Sequence, residues 1–256
     1  MTTPHRPRKK WGQHFLRDPW ILTQMVKAIY PQHNDWLIEI GPGEGVLTEL
    51  LLPAVARLDV IEIDPDLAAH LQTRWADEKR FTLHHQDALD FDARTLTDTP
   101  VRIVGNLPYQ ISTPLLFHLL ETAPHAVDYH FLLQKEVVDR ICAPAGSDAY
   151  GRLSVMAQYH WKPTALFDVA PGSFFPPPQV QSTFVRLIPH TPALLAQDYT
   201  RFADLVREAF NHRRKTIYNA LQRWVPKTVF EQLGLSPTLR PEILTVTDFV
   251  RLANAV

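Results

Sequence analysis

The sequence has a single cysteine, Cys142, so it can form neither an intramolecular disulfide nor a CxxC metal or redox pair. Its 12 histidines include no HxxxH or HxH pair, and no metal site is expected. Ser173 follows Gly172 but lacks the G-x-S-x-G elbow, which argues against hydrolase chemistry. Long apolar runs are missing too. The longest uncharged stretch, Ile103 to Leu120, is broken by Gly105, Asn106, Pro108, Gln110 and Pro114, and so cannot span a bilayer. The basic beginning, MTTPHRPRKKWGQHF, has no apolar stretch behind it and does not read as a secretory signal, so a soluble cytoplasmic protein is expected. Repeats and low-complexity tracts are absent.

Net charge is also nearly absent: 26 Lys+Arg face 27 Asp+Glu in 256 residues, for a formal charge of −1. The regional charges are +4 for residues 1–10, −8 for 11–98, −1 for 99–199, +5 for 200–227 and −1 for 228–256. Neutrality is thus a cancellation between an acidic body and two basic clusters, and such clusters can bind polyanions whatever the total.

What is present is a regular alternation. Pro19–Tyr30 has helical apolar spacing with Asp18 as N-cap, and Trp36–Ile40 reads as a buried strand running into the turn Gly41–Gly45. Further strands are expected at 58–63, 81–85, 102–105 and 128–133, separated by helices at 46–52, 65–76 and 113–121, with another helix at 136–143. Alternation of this kind means βαβ units and a parallel sheet. Segments 153–161, 164–169 and 183–188 complete the larger domain, the last two as antiparallel strands. Strand signals stop near residue 190, and helices are expected at 199–224, 229–233 and 247–255. The expected organisation is an arm at 1–18, a catalytic domain at 19–190 and a helical domain at 191–256.

Glycines between a first strand and a helix let a ligand approach the backbone at the carboxyl end of a sheet. The turn here is G-x-G-x-G, with Val46 where a dinucleotide fingerprint needs its third glycine, and Pro42 removes an amide from any pyrophosphate cradle. Glu62 ends the second strand, where a carboxylate can accept both ribose hydroxyls. Asp87, followed by Ala88 just past the third strand, can accept from an adenine amine. Each of these residues alone could be a turn glycine or a solvated acid. Gly41, Gly43, Glu62 and Asp87, in that order on successive strands, fit an adenosine cofactor without phosphates, S-adenosylmethionine.

Asn106-Leu107-Pro108-Tyr109 follows the fourth strand and so borders the same cleft. The amine of adenine is a weak nucleophile because its lone pair is delocalised into the ring. Two acceptors, the Asn106 side-chain oxygen and the Leu107 carbonyl, can pull it toward tetrahedral geometry. Pro108 holds the carbonyl's aim, and Tyr109 offers a face for an extruded base, worth about 1–3 kcal/mol. Taken alone, the tetrapeptide could equally be a buried turn.

These segments carry a resemblance. GQHFL (12–16), IGPGEGVLTE (40–49), VIEID (60–64), QDAL (86–89) and GNLPYQISTPLLFHLL (105–120) are similar to blocks of the KsgA/RsmA family of bacterial small-subunit rRNA adenine N6,N6-dimethyltransferases. So are LLQKEVVDR (132–140), YGRLSVMAQY (150–159), FFPPPQVQS (174–182) and EAFNHRRKTI (208–217). The resemblance covers essentially the whole chain. It implies an α/β class I, Rossmann-like methyltransferase sheet with a small all-helical C-terminal domain. It also implies that Gln13, His14 and Leu16 line the methionine end of the cofactor; many members carry Asn where this chain has His14. Phe174 corresponds to the family's aromatic near the target base, a second stacking face opposite Tyr109.

Arg213, Arg214 and Lys215 sit inside a predicted helix, extended by Arg207 and Arg223, and with Lys9 and Lys10 of the arm they are candidates for RNA phosphates. A solvated face is the plain alternative. The expected activity is dimethylation of two adjacent adenines in the 3′-terminal hairpin of 16S rRNA, within an immature small subunit, by a monomer. Two alternatives stay open: a large-subunit rRNA methyltransferase conferring macrolide resistance, and a ribosome-assembly factor with dispensable catalysis.

Overall fold

In the computed structural model, which describes Arg8 and residues 11–256, seven strands form one sheet in the order β4-β3-β2-β5-β6-β9-β7. These are β2 (Trp36–Ile40), β3 (Arg57–Glu62), β4 (Phe81–His85), β5 (Val101–Asn106), β6 (Ala126–Gln134), β7 (Trp161–Val169) and β9 (Ser182–Pro189). The pairs β2·β3, β3·β4, β2·β5 and β5·β6 are parallel, and β9 is antiparallel to β6. The α/β class expected from the alternation is observed. The order of chain passage reverses between β2 and β5, and at such a switch point open sheets hold ligands beyond the carboxyl ends of their strands.

Strand β2, WLIEI, is buried along most of its length, as a central strand covered on both sides must be. Leu37, Leu58, Val60, Val104 and Leu132 of the sheet share a core with Met25 of α1 (Pro19–Ile29), Leu51 of α2 (Val46–Leu51) and Leu71 of α3 (Pro65–Arg74). Asp18 caps α1 as expected, accepting from the amides of Trp20 at 3.0 Å and Ile21 at 3.3 Å. The register Ile40↔Gly105 sets the glycine turn beside Asn106. A Cβ on Gly105 would lie 2.4 Å from the Ile40 carbonyl oxygen, so glycine is what lets the two strand ends come this close.

The chain divides into two compact units, residues up to Val137 with Thr164–Ile188, and Val138–Pro163 with Pro189–Val256. Helices α4 (Ser112–Thr122) and α5 (Lys135–Cys142) follow β5 and β6, and the second unit contains α6 (Arg152–His160), α7 (Tyr199–Asn211), α8 (Ile217–Leu221), α9 (Lys227–Gln232) and α10 (Val246–Asn254). Val155, Phe202, Leu205, Phe230 and Phe249 are buried in it.

Two features depart from expectation. The helix predicted over 199–224 breaks at residues 212–216, so Arg213, Arg214 and Lys215 lie in a turn. Successive cations with no buried apolar neighbour supply no packed face to carry a helix onward, and Thr216 instead caps α8, accepting from the Asn219 amide at 3.4 Å. The second is a pair of two-residue strands that no pattern signals. β1 (Phe15–Leu16) pairs antiparallel with β8 (Phe174–Phe175), matching Leu16 with Phe174.

Candidate active site beyond the central strands

A cavity of about 340 Å³ opens at the carboxyl ends of β2, β3 and β5. Gly41, Gly43, Glu62, Asp87, Ala88, Asn106, Leu107, Pro108 and Tyr109 all line it, as do Gln13, His14 and Leu16, so twelve residues named from sequence converge on one space. Gly43 has φ of +58°, and a Cβ there would meet the Phe15 ring at 3.0 Å. Glycine is therefore required twice over, by conformation and by space.

Glu62 is almost completely buried. Its Oε1 accepts from the Asp64 amide at 2.8 Å and its Oε2 from the Gly43 amide at 3.2 Å. Each oxygen keeps a further lone pair. Burial raises its pKa to about 7 against those backbone bonds, and the neighbouring charge of Asp64 adds to the rise. Glu39, which sequence reasoning passed over, also lines the cavity. It is buried, accepts from Thr48 Oγ1 at 2.6 Å, and has a pKa raised to about 7, chiefly by burial and further by Glu62. Its signal was present: a lone acid in an otherwise apolar strand next to the glycine turn. Asp87 Oδ1 accepts from the Leu89 amide at 2.9 Å, which orients that carboxylate.

The segment before β1 closes one side of the cavity. Gln13 Nε2 donates to Asp64 Oδ2 at 3.0 Å while its Oε1 accepts from the Arg8 amide at 2.7 Å. The Arg8 guanidinium pairs with Asp66 and lies 3.6 Å from Asp64. His14 Nδ1 meets the Pro176 carbonyl at 2.7 Å, and its imidazole stacks on Tyr109. Asn106 Nδ2 donates to the His14 carbonyl at 2.9 Å. Leu107 is buried, and its carbonyl accepts no hydrogen bond from the described residues.

Phe174 is placed differently from its expected role. Its ring is 4% exposed, packs in the core beside Leu16 and does not line the cavity, so it offers no free face in this conformation. Alternation along β8 sends the next ring, Phe175, to the surface, where it is 49% exposed beneath the Arg17 guanidinium.

Arg207, Arg213, Arg214, Lys215 and Arg223 fall in the helical unit. Arg207 pairs with Asp204 at 2.7 Å. Arg213 donates to the Asp148 carbonyl at 2.7 Å, whereas Arg214, Lys215 and Arg223 are exposed. Lys9 and Lys10 lie outside the described residues.

Among the described residues the cavity lining includes Glu39, Glu44, Glu62 and Asp87 but no lysine or arginine. Such a site repels a polyphosphate and suits a cationic ligand with donor hydroxyls. Residues 4–256 match the family described as ribosomal RNA adenine dimethylase. The chain is 50% identical over 249 residues to ribosomal RNA small subunit methyltransferase A of Coxiella burnetii, covering 96% of each chain. It is 51% identical over 253 residues to the protein of the same name from Pseudomonas aeruginosa, covering 98% of this chain and 94% of that one. Among solved structures, a dimethyladenosine transferase from Plasmodium falciparum is similar at TM-score 0.79 and 28% identity, over 93% of this chain and 96% of that one.

Proposed function

The chain belongs to the ribosomal RNA adenine dimethylase family, and from that membership we propose that it dimethylates N6 of two adjacent adenines in the 3′-terminal hairpin of 16S rRNA. The methyl donor is S-adenosylmethionine. It acts in the cytoplasm, as a monomer, on an immature small subunit. The observation that carries this reading is the cavity in which two acceptors that take no hydrogen bond from the described residues, Asn106 Oδ1 and the Leu107 carbonyl, stand beside Tyr109 and a carboxylate-lined glycine turn.

S-adenosylmethionine, when bound, supplies an electrophilic methyl group on a positively charged sulfur. The acidic lining, without lysine or arginine among its described residues, fits that charge, and the absence of Cβ atoms at Gly41 and Gly43 leaves room at the backbone. Glu62 would accept from the ribose hydroxyls and Asp87 from the adenine amine of the cofactor. Gln13, His14 and Leu16 would border its methionine end.

The protein's own part in transfer is mainly orientation. Asn106 Oδ1 and the Leu107 carbonyl accept from the two N–H bonds of the target amine and pull it toward tetrahedral geometry, which localises its lone pair on nitrogen. Tyr109 stacks on the extruded base. No strong base is needed, because the amine becomes acidic only once it is alkylated. The rate enhancement then comes from positioning and preorganised dipoles. The exposed cations Arg214, Lys215 and Arg223, with Arg207, Arg213, Lys9 and Lys10, would contact RNA phosphates.

The test is a methyl-transfer assay with labelled S-adenosylmethionine on undermethylated small subunits, mature small subunits, large subunits and naked 16S rRNA, followed by nucleoside analysis. N6,N6-dimethyladenosine formed on undermethylated small subunits is the expected result. Label entering large-subunit rRNA instead would overturn the reading.

A further inference from the structure

Tyr109 is held at two points besides its backbone. Its hydroxyl lies 2.6 Å from Ser182 Oγ, and its ring stacks with the His14 imidazole at 5.6 Å between centroids, with planes 26° apart. Ser182 is fully buried at the first residue of β9, where it pairs with Gln134 of β6. The hydroxyl that meets Tyr109 is therefore anchored by the sheet.

We propose that Ser182 is a positioning residue, acting through the Tyr109 hydroxyl, that determines whether methylation of an adenine stops at one methyl group or continues to two. The proposal rests on the function given above. An unmodified adenine amine has two N–H bonds, one each for Asn106 Oδ1 and the Leu107 carbonyl. In each transfer N6 forms a bond to the methyl carbon, the carbon–sulfur bond breaks with its electron pair left on sulfur, and N6 releases one proton to solvent. After the first transfer a single N–H remains, and one acceptor faces a methyl group.

Orientation first shared by two hydrogen bonds and a stacking ring then rests on one hydrogen bond and the ring. A ring free to swing about its Cα–Cβ bond would slow the second transfer more than the first. The Ser182 bond restrains that motion at the far end of the ring from the backbone. His14, itself held by the Pro176 carbonyl, restrains it on one face.

Ser182→Ala and Tyr109→Phe cut the same hydrogen bond from opposite ends and keep the ring. Single-turnover methylation of undermethylated small subunits, with N6-monomethyl- and N6,N6-dimethyladenosine measured separately, reads both steps. In both variants the second transfer is expected to slow by about fivefold more than the first, the loss of one net hydrogen bond. Monomethyladenosine then accumulates, and the double variant is no worse than either single one.

A merely structural serine would lower the melting temperature and slow both transfers together. Tyr109→Phe leaves Ser182 in place, so it carries the test even if Ser182→Ala folds poorly. An unchanged monomethyl fraction in Tyr109→Phe, or additive effects in the double variant, overturns the proposal. No dimethyladenosine from the unaltered protein overturns the function on which it rests.

Discussion

Asn106 Nδ2 donates to the backbone carbonyl of His14 at 2.9 Å, tying the end of β5 to the segment before β1. A carbonyl can only accept, so the atom facing it is the amide nitrogen, and Oδ1 is left for another partner. The orientation of the Asn106 amide is thus set by residue 14, far away in sequence. His14 contributes its backbone to this contact, so the bond does not depend on which side chain stands there.

Asn106→Ala removes the acceptor and keeps the cavity. Methyl transfer is expected to fall at least about a hundredfold, in the range for losing one preorganised electrostatic contact. Equilibrium binding of S-adenosylmethionine, followed by calorimetry, should remain measurable. Turnover close to that of the unaltered protein would falsify the assigned role.

Glu62 supplies a pH dependence whose sign can be worked out. Its folded pKa, about 7, lies above the model-peptide value, so its contribution to stability is present below the unfolded value and lost as pH rises through 7. Ribose hydroxyls donate, so they bind the ionised carboxylate better. Cofactor affinity should therefore strengthen from pH 6 to pH 8 while the ligand-free protein becomes less stable. Calorimetric titrations and melting curves over that range check both slopes; Glu62→Gln should flatten the first and lessen the second, to which Glu39 also contributes.

Gly105→Ala tests the close approach of β2 and β5. The added Cβ would meet the Ile40 carbonyl oxygen at 2.4 Å, a contact with backbone that cannot swing aside. A loss of several degrees in melting temperature is expected, with about 1–3 kcal/mol lost as in other overpacked interiors. Because Asn106 is the next residue, cofactor-dependent activity should fall with it. A melting temperature equal to that of the unaltered protein would refute the steric reading.

Arg214 and Lys215 lie exposed in the turn after α7, and no ion pair among the described residues engages them. Replacing both by Ala should raise KM for the subunit substrate and lower the salt slope of binding by about 0.7–0.9 per lost phosphate contact. Affinity for S-adenosylmethionine should not change. Binding isotherms at several salt concentrations decide this, and an unaltered slope would mean a merely solvated turn.

The cofactor side of the site was legible from sequence because its residues sit at strand ends. Gly41 follows and Glu62 ends a strand of buried residues, Asp87 lies just past the next strand, and parallel strands carry their carboxyl ends to one edge of the sheet. The tetrapeptide was legible for the same reason. Glu39 was missed since its strand reads as core, although its burial and its bond to Thr48 set it in the cavity wall. The basic turn was placed in a helix because helical spacing resumes on both sides of it.

Local pattern thus specifies the sheet, the glycine turn and the order of the acceptors, because each depends on periodicity and on conformations that neighbouring residues impose. It does not specify contacts between distant segments. The pairing of Leu16 with Phe174, the burial of the Phe174 ring, the bond from Asn106 to residue 14 and the tether from Tyr109 to Ser182 arise where chain segments separated by tens of residues or more meet. Two-residue strands carry no periodic signal, and a side chain's partner across the fold depends on packing that no local window contains.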